Sequence, residues 1–144
     1  MRFITILFLG LMSCSYAMAY DFSVVCENGQ TLYYNITSDT VPYTVEVTSQ
    51  NISYPYYDEA PVDTLVIPEM VVYDDTNYLV TRIGEMAFSN CELLKSVTIG
   101  NSVTEIGYRA FYGCDSISDI TIGNSVTDIG EYAFWHCVGL TSVT

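Results

Sequence analysis

Basic residues are scarce in this chain: four Lys and Arg stand against 17 Asp and Glu in 144 residues, a formal charge of −13. A body so negative repels phosphate backbones, which sets nucleic acid aside as a partner. The acids are scattered singly and read as a solvated surface, not as an acidic tail. Metal-ligand spacing is missing as well, since no Cys-x-x-Cys occurs, His136 is the sole histidine and nothing resembles an EF-hand loop. There is neither a Gly-x-Ser-x-Gly elbow nor a Gly-rich phosphate loop, so no catalysis and no cofactor is expected. Helix-forming Ala, Lys and Leu are few, whereas Tyr, Val, Ile and Thr abound, a balance that favours strands.

One of the four basic residues, Arg2, precedes an apolar run from Phe3 to Met12 and then small residues. This is the pattern of a secretory signal, too short to span a bilayer. Ala17-Met18-Ala19 is an A-x-A site, so cleavage is expected between Ala19 and Tyr20, with the product secreted or held at the cell surface. Leu11-Met12-Ser13-Cys14 offers a rival, a lipid anchor on Cys14, but Met12 fits a lipobox poorly and simple cleavage is the reading adopted. Removal of residues 1–19 leaves Arg82, Lys95 and Arg109 against 17 acids, a formal charge of −14.

Self-similarity dominates what remains. Ile83-Gly84-Glu85-Met86-Ala87-Phe88 returns as Ile106-Gly107-Tyr108-Arg109-Ala110-Phe111 and as Ile129-Gly130-Glu131-Tyr132-Ala133-Phe134, a period of 23 residues. Cys91, Cys114 and Cys137 follow three residues after each Phe; Val97, Ile120 and Val143 keep the same register. A fixed period with fixed apolar positions means stacked coils, each burying its apolar side only against its neighbours. Val97-Thr98-Ile99 and Ile120-Thr121-Ile122 alternate in and out, so they predict short parallel strands. Gly84, Gly107 and Gly130 are expected at bends, and the Ala-Phe pair that follows is expected in a short helical turn.

The unit Ile-Gly-x-x-Ala-Phe-x-x-Cys-x-x-Leu-x-Ser-Val-Thr-Ile-x-Asn-Ser-Val-Thr resembles the BspA-like leucine-rich repeat. Gly100 and Gly123 stand where that family often has Pro, and Ile117 replaces Leu. The resemblance implies a leucine-rich-repeat solenoid, mainly β with short helical turns, preceded by a β-rich N-terminal cap. The expected division is a signal over 1–19, the cap over 20–64, a degenerate first repeat over 65–82 and regular repeats over 83–144. Leu65-Val66-Ile67-Pro68 marks the degenerate repeat, and the runs Val71–Tyr73 and Tyr78–Val80 predict a hairpin inserted into it. The repeat pattern stops short at Thr144, so further repeats are expected beyond it, and with Leu140 and Val143 left without a neighbour the piece alone is expected to be marginally stable or to self-associate.

Two groups of residues are candidates for binding. Ser96, Thr98, Asp119, Thr121, Ser142 and Thr144 point out of the coil along the expected strands and form a hydroxyl-rich face. Tyr108, Tyr112, Tyr132 and Trp135 gather around the expected helical turn. The three repeat cysteines read as a buried ladder of free thiols, since in-register side chains point alike. Asn35-Ile36-Thr37 and Asn51-Ile52-Ser53 match N-glycosylation sequons. The family resemblance implies a surface binding module for host or matrix proteins such as fibronectin and fibrinogen, through protein or glycan contacts. Alternatives are a structural spacer presenting a C-terminal domain, or an accessory region of a secreted enzyme whose catalytic part lies elsewhere.

Overall fold

A computed structural model describes residues 19–144; the expected signal, apart from Ala19, and with it Cys14, lies outside them. Eleven strands follow in chain order: β1 (Phe22–Val25), β2 (Thr31–Ser38), β3 (Thr44–Thr48), β4 (Asp63–Ile67), β5 (Met70–Tyr73), β6 (Thr76–Ile83), β7 (Leu94–Ile99), β8 (Glu105–Ile106), β9 (Asp119–Thr121), β10 (Asp128–Ile129) and β11 (Ser142–Val143). Among the described residues no helix occurs.

Stacking of the 23-residue unit produces two sheets. Strands β4, β7, β9 and β11 form one, all parallel, with Leu65 beside Val97 and Val97 beside Ile120 in strict register. In the other, β6, β8 and β10 pair in parallel, with Ile83, Ile106 and Ile129 in one column. The same sheet continues into antiparallel β1, β2 and β3, and β3 joins β6 in parallel. The expected hairpin is β5–β6, closed by Asp74 and Asp75 at φ 47° and 57°, the left-handed pair that a two-residue hairpin turn demands.

The third side of each coil departs from expectation. In place of a short helical turn, Gly84 to Leu94 runs through successive β-turns, with the amides of Ala87, Ser89, Cys91 and Leu94 each donating to the carbonyl three residues back. The amides between them face the next coil: Met86, Phe88 and Asn90 donate to the carbonyls of Tyr108, Ala110 and Tyr112 at 2.9, 2.7 and 2.7 Å. An α-helix would spend those amides on itself. Left-handed residues at Met86, Asn90, Arg109, Gly113, Tyr132 and His136 also break any helical run.

Gly84, Gly107 and Gly130 stand at the bends, each carbonyl accepting from the amide three residues on, and they also permit the coils to touch, since a methyl group on Gly107 would sit 2.8 Å from the Gly84 carbonyl carbon. Inside, Phe88, Phe111 and Phe134 stack with ring centroids 5.2 and 5.4 Å apart, and Tyr57, ahead of β4, adds a fourth ring 6.5 Å from Phe88. Burial is complete for Val97 and Ile120, while Val143 and Ile129 in the outermost described coil are 57% and 53% exposed.

Candidate binding faces

The outward side chains of the four-stranded sheet fall into two rows. Thr64, Ser96, Asp119 and Ser142 make one, and Val66, Thr98 and Thr121 make the other, with Thr144 continuing it at 3.4 Å between the hydroxyls of Thr121 and Thr144. Parallel register is what aligns them, because a one-residue slip would turn every one of these side chains inward. Thr98, Thr121 and Thr144 are exposed, and Ser96, Asp119 and Ser142 half-buried. The face therefore includes Thr64 and Val66, which the sequence reading left out; the degenerate Leu65-Val66-Ile67 step was the signal for them. An ion pair between Lys95 and Asp63, 2.6 Å long, borders the face.

Hydroxyls along the coil flanks are already engaged. Ser118 and Thr141 each donate both backbone N–H and side-chain O–H to the carbonyl one coil back, Lys95 and Ser118 respectively, and Thr104 does the same to Thr81. Those groups clamp coil to coil.

The second candidate group assembles on the turn side, around a residue that the sequence reading passed over. The Arg109 guanidinium carbon lies 5.0, 5.1 and 5.6 Å from the ring centroids of Tyr108, Tyr112 and Tyr132, within cation–π range of all three. Tyr132 meets Trp135 edge to face at 5.5 Å and Tyr108 at 6.1 Å. Tyr132 and Trp135 are exposed, Tyr108 and Tyr112 half-buried.

The thiols are free, and burial keeps them protonated. Burial pushes Cys91 up to about 12 and Cys114 higher still, and it raises half-buried Cys137 and Cys26 as well. Cys114 and Cys137 donate their S–H groups to the carbonyls of Phe88 and Phe111 one coil back, at 3.1 and 3.2 Å. His136 sits in an exposed turn with Nδ1 3.0 Å from an Asp115 oxygen. Two depressions of about 380 and 480 Å³ lie against the cap, the first beside Tyr20, Asn35 and Glu85, the second beside Tyr33, Gln50 and Asp58. In the second, Gln50 and Asp58 hydrogen-bond each other, so its polar lining is self-satisfied. Asn35 and Asn51, the sequon residues, bond Glu46 and the Pro55 carbonyl.

A family model, the BspA type leucine rich repeat region, matches residues 52–144 in six copies. The chain belongs to the BspA-type leucine-rich-repeat family. Its repeats are similar to a leucine-rich repeat protein from Bacteroides ovatus ATCC 8483, at 35% identity and a TM-score of 0.68, covering 86% of this chain and 29% of that one. A leucine rich cell surface protein from Faecalibacterium prausnitzii A2-165 is similar at 29% identity and 0.63, covering 86% and 32%. The T. pallidum leucine rich repeat protein matches at 25% identity and 0.62, covering 78% and 46%. This chain thus spans a third or less of the first two of these proteins. Among curated proteins none matches. No helix among the described residues is long and apolar enough to cross a membrane.

Proposed function

We propose that the protein is a secreted or surface-displayed binding module that holds a host or matrix protein on the outward face of β4, β7, β9 and β11. One observation carries this reading: two aligned rows of outward side chains, hydroxyl-bearing except at Val66 and Asp119, run across four strands. Repetition makes a broad shallow surface, suited to a protein partner and not to a small substrate. The cell-surface description of the Faecalibacterium relative supports the location.

Thr98→Lys together with Thr121→Lys places two ammonium groups in the middle of the exposed row. Attachment to immobilised fibronectin and fibrinogen is expected to be lost, with the urea midpoint unchanged because surface substitutions stay within about 0.5 kcal/mol. Undiminished attachment by the double variant would remove this face from the reading.

A further inference from the structure

The turn-side cluster around Arg109 has features the coil does not require. In the same column the other coils place Met86 and Tyr132, both with the left-handed backbone of Arg109, so the fold accepts an apolar or aromatic residue there. The column one residue earlier holds Glu85 and Glu131 against Tyr108, and the one three residues later holds Ser89 and Trp135 against Tyr112. Arginine with Tyr108 and Tyr112 beside it is therefore particular to the middle coil, and Tyr132 reaches it from the next.

Charge makes the position stand out. Arg82 bridges Glu46 and Glu105 at 3.8 and 2.9 Å, and Lys95 pairs with Asp63. Among the described residues Arg109 has no carboxylate within ion-pair range, although Glu85 and Glu131 flank its neighbour Tyr108. Its Nε is buried without an acceptor, as is that of Arg82. A half-buried guanidinium with ring faces on three sides still has a fork of N–H donors to satisfy, and a carboxylate matches that fork geometrically. Among the described residues, where Arg82, Lys95 and Arg109 stand against 17 acids, this is the one Lys or Arg without a carboxylate partner.

We propose that Arg109, Tyr132 and Trp135 form a subsite for a singly carboxylated sugar, such as a terminal sialic or uronic acid. Arg109 takes the carboxylate, and the apolar face of the pyranose lies on the exposed corner where Tyr132 and Trp135 meet at an interplanar angle of 83°. A polyanion or multiply acidic peptide fits less well, because beyond one cation it meets only negative surface. This deepens the reading of a binding module and lies on a different side of the coil from Thr98 and Thr121. The two fail separately: loss of sugar binding leaves matrix-protein attachment intact, and the reverse.

Trp135 is the sole tryptophan, so its fluorescence reports occupancy directly. The chain is titrated with the methyl glycoside of N-acetylneuraminic acid and with the carboxyl methyl ester of the same sugar. A saturable change in emission is expected for the acid, with half-saturation on the order of 1 mM, and binding about tenfold weaker for the ester. Arg109→Gln is expected to abolish the response and Arg109→Lys to retain part of it. Should Arg109→Gln fail to fold, as seen by circular dichroism, the comparison of acid with ester on the unaltered chain still decides. Equal binding of acid and ester, no saturable response to the acid, or tighter binding of an acetylated Asp-Ala-Asp tripeptide than of the sugar would each overturn the proposal.

Discussion

In the repeats, each interior position is filled by stacking like on like, whereas the cap fills the same columns with whatever ends the stack. The Phe column shows the difference. Phe88, Phe111 and Phe134 meet as parallel rings, but the segment ahead of β4 contributes Tyr57, whose buried hydroxyl needs an acceptor and finds the Ala87 carbonyl. The cap also turns its strands antiparallel and locks them to the first coil through the inserted hairpin, where Tyr73 and Tyr78 pack against Phe22 at 4.2 and 5.9 Å. A repeat needs only to match its neighbour; a cap must match on one side and end the pairing on the other.

If stacking within the repeats is the dominant source of stability, the middle ring should matter more than the outer one. Phe111→Ala is expected to cost about 3–5 kcal/mol, since the ring is fully buried between two others. Phe134→Ala, at a half-buried site with one stacked neighbour, should cost distinctly less. Chemical unfolding of both variants makes the comparison, and equal losses would show that the coil does not depend on position in the stack.

Glycine separates the two regions in kind. Gly107→Ala forces a methyl group to within 2.8 Å of backbone in the adjoining coil and is expected to cost about 1–3 kcal/mol as overpacking between rigid turns. Gly29 in the β1–β2 turn has open space around it but a φ of 83°, so Gly29→Ala should cost only the left-handed penalty, about 1–2 kcal/mol. Asparagine, which tolerates left-handed backbone, should rescue position 29 and not position 107.

The solenoid, its period and its apolar columns were legible because they recur, and recurrence is a property of sequence. What was misread depends on contacts between coils. Ala-Phe-x-x-Cys spacing suits one helical turn and also successive β-turns; the choice falls to β-turns because the amides of Met86, Phe88 and Asn90 pair with the next coil. Gly107 opens the bend expected of it, but its second role, the close approach to Gly84 23 residues away, is invisible along the chain. Arg109 was passed over because it breaks a column instead of repeating it, and its three tyrosines converge only when coils stack. Tyr57 has no periodic context to announce it.

The thiols offer the finest contrast between the regions, through pH. Cys91 and Cys114, inside the stack, are held protonated by burial well above the ordinary thiol value, whereas the cap thiol Cys26 is only half-buried. In the unfolded chain all of them ionise near pH 8.5. Above that pH the folded state binds more protons than the unfolded one, so stability is complete below about 8.5 and falls as pH rises toward 12. Each buried thiol should cost about 1 kcal/mol by pH 9.5. The urea midpoint under reducing conditions should therefore fall between pH 8 and 10. Replacing Cys91 and Cys114 together by Ala lowers the starting stability through lost packing but should flatten the decline, while Cys26→Ala should leave its slope close to that of the parent. Burial also raises Tyr34 and Tyr57 in the same direction. Tyrosines ionise near pH 10 in the unfolded chain, so their effect falls mostly above this window, and a decline just as steep in the double variant would take the pH dependence away from Cys91 and Cys114.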